Sequence, residues 1–322
     1  MNAAELEQLA HELGIDVVGA TPAEPYEETE RHIRERRASG LFADMRFTMA
    51  QPEVSCHPET LLVNANTVVS AALCYYGEEP APAGACPRSG PVEGVRGNRE
   101  VPPGYGRLAR YTWYDAYAEL REKLDHLGRR LGGGYRVLVD ENQHVDREAA
   151  ARSGVGFYGK NTLLITRRFG SWVVLGTLVT DQELEPTPPL GLDCGSCTLC
   201  IEACPTGALD DPGTLDATKC LSYWTQSAHD PPDAYREAFE AQVYGCDICQ
   251  DVCPWNRGIE KRRAGHPLPV QAEPHVDLVD WLESDPAELR ERYARLFVPR
   301  NDGRFLQRNA RIALENEQVA AG

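Results

Sequence analysis

The sequence predicts an α/β (α+β) domain, then a cysteine-rich domain, and last a short helical C-terminal segment. Apolar strand-like runs alternate with helical patterns over residues 1–185, which is the order expected of an α/β domain. Residues 186–258 are rich in cysteine, short in helices and interrupted by proline, and residues 259–322 are assigned to the helical segment. A chain of 322 residues can bury a core in each of two modest domains.

The elements of the first domain follow from hydrophobic periodicity. Apolar residues at helical spacing between Ala3 and Leu13 indicate an amphipathic first helix. Further helices are predicted over residues 114–131, ended by three glycines, and 146–153. The predicted strands are residues 15–19, 67–73, 135–140 and 172–180. Residues 77–106 are crowded with proline and glycine and predict a long loop of the kind that is usually functional or mobile.

Eight of the eleven cysteines lie between residues 194 and 253 at regular spacing. The first run is separated by two, two and three residues and precedes a proline: Cys194, Cys197, Cys200, Cys204 and Pro205. Bacterial ferredoxins bind 4Fe–4S clusters with this run. The second set is Cys220, Cys246, Cys249 and Cys253, followed by Pro254. The spacing therefore predicts a ferredoxin-like domain with two 4Fe–4S clusters.

The same spacing divides the cysteines between the clusters. Cysteines two residues apart turn onto one cluster, whereas the fourth of a run reaches the other cluster. The predicted ligands of one cluster are Cys194, Cys197, Cys200 and Cys253, and those of the other are Cys204, Cys220, Cys246 and Cys249. Two structural zinc sites are the alternative for these residues. The isolated Cys56, Cys74 and Cys86 are expected to be buried or incidental thiols.

Composition and the N-terminal sequence bear on compartment. Hydrophobic residues make up 42% and charged residues 25% of the chain, as in a globular protein. The first twenty residues lack the charged start and apolar stretch of a signal peptide, and no apolar run is long enough to span a bilayer. A cytoplasmic protein that does not enter the membrane is therefore expected, and a disulfide framework has no support.

The charge distribution bears on nucleic-acid binding. The formal net charge is −16, which argues against non-specific binding over the whole surface. Residues 290–311 nevertheless carry seven arginines against Glu291 and Asp302. This segment is either a local basic face or a solvated helix with alternating charges.

Several sequence blocks resemble the epoxyqueuosine reductase family. The most specific is Cys246-Asp247-Ile248-Cys249-Gln250-Asp251-Val252-Cys253-Pro254-Trp255-Asn256, and residues 153–165, 170–172, 194–197 and 204–208 are also similar. The blocks occur in the family's order from about residue 15 to residue 316. An α/β domain before the cysteines suits an enzyme, because two clusters alone need far fewer residues.

The resemblance implies a substrate and cofactors. The family reduces epoxyqueuosine to queuosine at the wobble position of the tRNA anticodon, with base-off cobalamin in the α/β domain beside the ferredoxin-like module. No histidine of this sequence has an aspartate two positions before it, which suits base-off binding. Reductive opening of an epoxide needs two electrons and a proton on the departing oxygen, and low-potential clusters can reduce cobalt to Co(I). A ferredoxin or flavodoxin is the expected electron donor, and the protein is expected to be a monomer.

The resemblance also implies site residues. Asp140, at the end of the strand over residues 135–140, matches the family's proton donor, although an aspartate there could simply cap the next segment. A proton donor near pH 7 needs a raised pKa, which an apolar pocket supplies. The other cobalamin contacts implied are Lys160, Asn161, Leu164, Ser222, Cys246 and Asp247. His144 is expected to be a surface residue.

Some positions depart from the family pattern. Ser55 stands where the family usually has an arginine, Ala116-Tyr117 replace Tyr-His, and Asp146 replaces a glutamate. The chain ends soon after Arg311, without the helical repeats of longer members. Two other hypotheses remain: a cobalamin-dependent reductase of a different epoxide or an organohalide, and an electron-transfer protein whose first domain docks partners.

Overall fold

The computed structural model describes residues 1–45, 50–80 and 101–321. The chain forms two compact units. The first unit comprises Met1–Tyr75, Ala116–Cys197 and Pro212–Thr214, and the second comprises Tyr76–Asp115, Thr198–Asp211 and Leu215–Gly322. The units therefore interleave along the sequence, and the domain boundaries at residues 185 and 258 remain predictions.

The α-helices of the described residues are mostly short. They are α1 (Ala3–Glu12), α2 (Glu27–Ala38), α3 (Pro52–Ser55), α4 (Ala116–Leu131), α5 (Asp146–Arg152), α6 (Leu199–Glu202), α7 (Leu221–Thr225), α8 (Asp233–Arg236), α9 (Ile248–Asp251), α10 (Arg257–Arg262), α11 (Leu278–Glu283), α12 (Pro286–Arg292) and α13 (Arg304–Ala321). Turns of 3-10 helix occur at Pro58–Thr60, Arg110–Thr112, Glu237–Phe239 and Pro299–Asn301.

The strands form one sheet in each unit and a small hairpin. They are β1 (Val17–Pro22), β2 (Thr67–Cys74), β3 (Tyr105–Leu108), β4 (Tyr135–Leu138), β5 (Phe157–Tyr158), β6 (Leu164–Ile165), β7 (Val173–Thr180), β8 (Gln242–Tyr244) and β9 (His275–Asp277). The first unit holds the sheet β1-β2-β7-β4 and the β5-β6 hairpin, and the second holds β8-β3-β9.

The sheet of the first unit is antiparallel throughout. Val17 pairs with Ala72, Leu73 with Val174, and Leu138 with Thr177. All eight residues of β2 are buried, as expected of a central strand covered on both faces. On one face lies α4, whose Leu120, Leu124 and Leu127 are fully buried at helical spacing. The core between α4 and the sheet includes β4, which ends two residues before Asp140.

Helix α5, which packs on the other face of this sheet, approaches β1 very closely. A Cβ placed on Gly19 of β1 would lie 1.9 Å from the carbonyl oxygen of Ser153, the residue that caps α5. Ala149 and Ala150 of α5 are fully buried, so small side chains permit the close approach. The C-terminal end of α5 is therefore held close against β1.

The second unit is built around a three-stranded sheet and α13. Strand β3 pairs in parallel with β8 and antiparallel with β9. Ile312 of α13 packs with Leu221 of α7 and with Phe239, and Asn309 Nδ2 donates hydrogen bonds to the carbonyls of Thr225 and Val243. The helical segment predicted after residue 258 is thus part of this unit's core.

Most sequence-based expectations about elements are confirmed. The four strands predicted for the first domain exist with shifts of a few residues, and so do its three helices. The predicted loop over residues 77–106 ends earlier than expected, because β3 begins at Tyr105, and residues 81–100 lie outside the described part. None of the described helices is long and apolar enough to cross a bilayer.

Candidate active site and cysteine centre

Asp140 lies two residues beyond the end of β4, on a loop braced by α4. Its backbone is left-handed, with φ of +53°, a region that aspartate enters more readily than most residues. Arg121 of α4 donates one hydrogen bond to the Val139 carbonyl (2.7 Å) and another to Glu141 Oε1 (2.9 Å). The loop is thus held on both sides of Asp140, whose own carboxylate makes no hydrogen bond to the described residues.

The environment of Asp140 favours its protonated form. The side chain keeps access to solvent, yet the protein packed around it raises the pKa of its carboxyl, and the charges of Arg147 and Arg121 oppose this rise. Removing a carboxylate from water disfavours the charged form, so burial works in the direction that a proton donor requires. The geometry and the direction of the shift both suit an acid.

A second carboxyl, Asp146, lies beside it at the start of α5. Burial raises the pKa of Asp146 to about 8, and the negative charge of Asp140 adds to that rise. Thr177 Oγ1 of β7 donates a hydrogen bond to Asp146 Oδ1 at 3.2 Å. The substitution of the family's glutamate therefore keeps an acid that holds its proton at neutral pH.

Lys160 and Asn161 lie in the β5-β6 hairpin. Lys160 Nζ donates hydrogen bonds to the carbonyls of Gly195 (2.7 Å) and Cys197 (3.0 Å), so it fixes the first turn of the cysteine run. Asn161 is 4% exposed; its Oδ1 accepts from the Leu163 amide, whereas its Nδ2 is buried without a partner. Leu164 is a core residue that packs with Ala72 and Val155. Of the three predicted contacts in this hairpin, only Asn161 presents an unused polar atom.

Several cysteines of the second unit lie near enough to one another to influence each other's thiol pKa. Burial, followed by the charge of Cys220, raises the thiol pKa of Cys246, and Cys204 contributes further. For Cys249 the causes of the raised pKa are burial and then Cys246, Cys220 and Cys200. These influences connect Cys204, Cys220, Cys246 and Cys249 but also reach Cys200, and no three of the described His, Cys, Asp and Glu side chains stand in a metal-binding arrangement. These thiols are half-buried, and thiols with a raised pKa can become ligands when iron displaces the proton.

The remaining predicted cluster ligands divide between the units. Cys194 and Cys197 belong to the first unit, where the Cys197 amide donates to the Cys194 carbonyl in a tight turn. Cys200 and Cys253 belong to the second. The ten cysteines of the described residues form no disulfide, and Cys56 and Cys74 are buried as expected. Cys86 lies outside the described residues.

Ser222 and Asp247, predicted beside the cofactor, are bonded within the second unit. Asp247 is 3% exposed, and its Oδ2 accepts a 2.8 Å hydrogen bond from the Arg110 amide. Ser222 is half-buried, and its Oγ accepts from Gln226 Nε2 at 3.2 Å. Asp247 therefore anchors the turn that carries Cys246 and Cys249.

Two sequence-based expectations need correction. His144 is buried rather than a surface residue: it is 1% exposed, its ring centroid lies 5.8 Å from that of Tyr26, and burial lowers its pKa to about 4. The segment over residues 290–311 is not uniformly a free basic face. Arg308 is largely enclosed and donates to the carbonyls of Ser227, His229 and Trp224, so it is a structural residue. Arg304 is exposed and paired with Asp302.

Residues 193–256 match the family described as a 4Fe-4S double cluster binding domain. This match places a double cluster binding domain in a chain of mixed α and β structure. An epoxyqueuosine reductase of Lactococcus garvieae (strain Lg2) is 34% identical over 318 residues, which cover 97% of this chain and 86% of that protein. The chain belongs to the epoxyqueuosine reductase family.

Solved structures agree with this assignment. A crystal structure of epoxyqueuosine reductase with an epoxyqueuosine-modified tRNA-Tyr stem loop is similar with a TM-score of 0.82 and 32% identity, covering 99% of this chain and 82% of that chain. A structure of the Bacillus subtilis enzyme, described with its catalytic aspartate loop swung out of the active site, gives a TM-score of 0.81 at 32% identity over the same shares.

Proposed function

We propose that this protein reduces epoxyqueuosine to queuosine at the wobble position of a tRNA anticodon. Two 4Fe–4S clusters and base-off cobalamin would supply the electrons, and Asp140 would donate a proton. The observation that carries the proposal is the 34% identity with an epoxyqueuosine reductase across 97% of the chain. The stem loop bound by the similar solved enzyme supports tRNA as the substrate.

The proposed cluster ligands are the two sets that the sequence predicts. The influence of Cys204 and Cys220 on the thiol pKa of Cys246, and of Cys220 and Cys246 on that of Cys249, supports one set. For the other set, Cys194, Cys197, Cys200 and Cys253, the support is the ferredoxin spacing and the match of residues 193–256. Lys160 keeps the turn at Gly195 and Cys197 in place.

The residues present fit a cobalamin. A corrin ring carries amide groups at its periphery, and the buried Nδ2 of Asn161 is an unused donor of the kind that binds them. When bound, cobalamin would supply a reducible, strongly nucleophilic metal centre. Asn161 is the contact best supported, whereas Lys160, Leu164, Ser222, Cys246 and Asp247 stay proposals.

The acid–base chemistry falls to two carboxyls. Removal of the epoxide oxygen as water consumes two electrons and two protons. Asp140 gives a proton to the departing oxygen, and Arg147 and Arg121 stabilise the carboxylate that remains. Asp146 holds a second proton beside it up to about pH 8. After Asp140 has given up its proton, the carboxyl pair still holds the proton of Asp146. That proton can protonate Asp140 again for the next turnover.

The setting of the reaction is also proposed. The protein works in the cytoplasm as a monomer and receives electrons from a low-potential donor such as a ferredoxin or flavodoxin. No further support for the donor or the oligomeric state comes from the described residues.

An anaerobic assay tests the function. Cluster-loaded protein, added cobalamin, a reduced low-potential donor and an epoxyqueuosine-bearing stem loop should yield queuosine, detected by mass spectrometry as the loss of one oxygen atom. A stem loop with unmodified guanosine is the matched control. Protein with full iron content that binds no corrinoid, or that reduces small epoxides or organohalides but not the stem loop, would contradict the proposal.

A further inference from the structure

Three polar residues line up across the sheet of the second unit. Arg107 of β3 is in register with Gln242 of β8 on one side and with His275 of β9 on the other. Residues in register on neighbouring strands project from the same face of a sheet. Gln242, Arg107 and His275 therefore form one row, called here the polar ladder.

The polar ladder is buried and incompletely bonded. Arg107 is 3%, Gln242 8% and His275 9% exposed. Arg107 Nη2, Gln242 Oε1 and both ring nitrogens of His275 have no hydrogen-bond partner in the described part of the chain. Buried polar atoms are nearly always hydrogen-bonded, so three adjacent residues with unused atoms indicate a ligand rather than an accident of packing.

The charges nearby leave a positive excess. Glu79 Oε2 pairs with Arg110 at 2.9 Å, and Glu79 Oε1 lies 3.5 Å from His275 Nε2. No carboxylate of the described residues forms an ion pair with Arg107. A guanidinium keeps its charge at every physiological pH, and a buried charge without a counter-charge is strongly unfavourable. A negative ligand would supply the counter-charge that Arg107 lacks among the described residues.

We propose that the polar ladder binds a small oxyanion, of the phosphate or carboxylate type. Arg107 supplies paired N–H donors in the geometry that such anions accept. Gln242 adds an amide that can present its N–H groups after a half-turn, and His275 adds a ring N–H. This site is independent of Asp140 and of the cysteines, so its test does not depend on the proposed function.

Inorganic phosphate is the probe for the full-length, cluster-loaded protein. Thermal unfolding and calorimetry are recorded anaerobically against phosphate, with chloride balancing ionic strength. We expect the unfolding temperature to rise with phosphate in a saturable way. Arg107→Met should weaken phosphate binding at least about tenfold, Gln242→Leu should weaken it less, and Arg257→Met, at an exposed arginine of the same unit, should leave it unchanged.

A different result is expected if the polar ladder has a purely structural role. Arg107→Met would then raise the unfolding temperature in phosphate and chloride alike, since it removes an unpaired buried charge. Absence of saturable binding of phosphate, sulfate and acetate by the unmutated protein, or equal binding by the variants, overturns the proposal. If Arg107→Met does not fold, Gln242→Leu and His275→Leu carry the same comparison by phosphorus NMR.

Competition identifies the source of the anion. Displacement of phosphate by cobalamin but not by cobinamide, which lacks the nucleotide phosphate, supports the site and assigns it to that phosphate. Displacement by neither supports the site with a free small anion as its ligand.

Discussion

At the scale of single residues, the reaction chemistry rests on two carboxyls that differ in environment. Asp140 has solvent access and faces Arg147 and Arg121, whereas Asp146 lies against β7 and bonds to Thr177. This difference in environment suits the proposed roles, in which Asp140 gives its proton to the substrate and Asp146 holds a second proton. Each role can be tested alone.

Replacing Asp140 with Asn should abolish proton donation but leave the cofactors bound. The amide is isosteric with the carboxyl, so iron and corrinoid content should stay at the level of the unmutated protein. Turnover of the stem loop should fall by about 10²- to 10⁴-fold. Asp233→Asn, a change at an exposed acid of the second unit, is the control and should retain full activity. Full activity in Asp140→Asn would refute the assignment.

Asp146 makes stability depend on pH. Its pKa of about 8 in the folded protein lies above that of the unfolded chain, so folding favours the protonated carboxyl. The free energy of unfolding should therefore fall as pH rises from about 4 to about 8, by up to about 1.4 kcal/mol per pH unit. Asp146→Asn should remove this part of the fall, measured by denaturant unfolding at several pH values. Asp233→Asn, at an exposed carboxyl, should leave the fall unchanged. If the free energy of unfolding depends on pH identically in the unmutated protein and in both variants, Asp146 does not hold a proton in the folded state.

At the scale of elements, the contact between the C-terminal end of α5 and β1 fixes how closely this helix packs on the sheet. The Ser153 carbonyl lies where a side chain on Gly19 would begin. The contact is made by backbone atoms in a closely packed core. Moving either α5 or β1 would therefore cost free energy.

Gly19→Ala should destabilise the protein by roughly 2–4 kcal/mol, since overpacking against backbone forces the helix away from the sheet. Gly191→Ala, at an exposed glycine with nothing near its Cβ, is the control and should change stability little. Thermal unfolding of the two variants checks the expectation, and a near-neutral Gly19→Ala would show that α5 can shift.

At the scale of the whole molecule, each proposed cluster takes ligands from both the cysteine run and the second set. Cys246→Ser should remove a cluster ligand, lower the iron content from about eight towards about four atoms per chain, and stop electron delivery. Cys74→Ser, at a buried thiol of β2, should keep full iron content. Iron analysis and the visible absorption of the clusters distinguish the two. Unchanged iron in Cys246→Ser would contradict the ligand assignment.

Local patterns in the sequence were enough for many features. Periodicity located the strands and helices of the first unit to within a few residues, because alternating burial is imposed by the sheet itself. Cysteine spacing identified the double cluster region, because ligands close in sequence must turn onto one cluster. The antiparallel order β1-β2-β7-β4 could not be obtained this way, since pairing partners are far apart in the chain.

The amino-acid sequence by itself identified the double cluster region, because that region depends on cysteines at short spacing, and it indicated the family and the candidate acid through the resemblance of several sequence blocks. Only the tertiary structure decided which side chains are buried and which groups surround them. It buried His144, enclosed Arg308 among carbonyls, gave Asp146 its raised pKa and assembled the polar ladder from three strands. Burial and pairing arise from segments distant in sequence, and these set the charge of a side chain and its freedom to act.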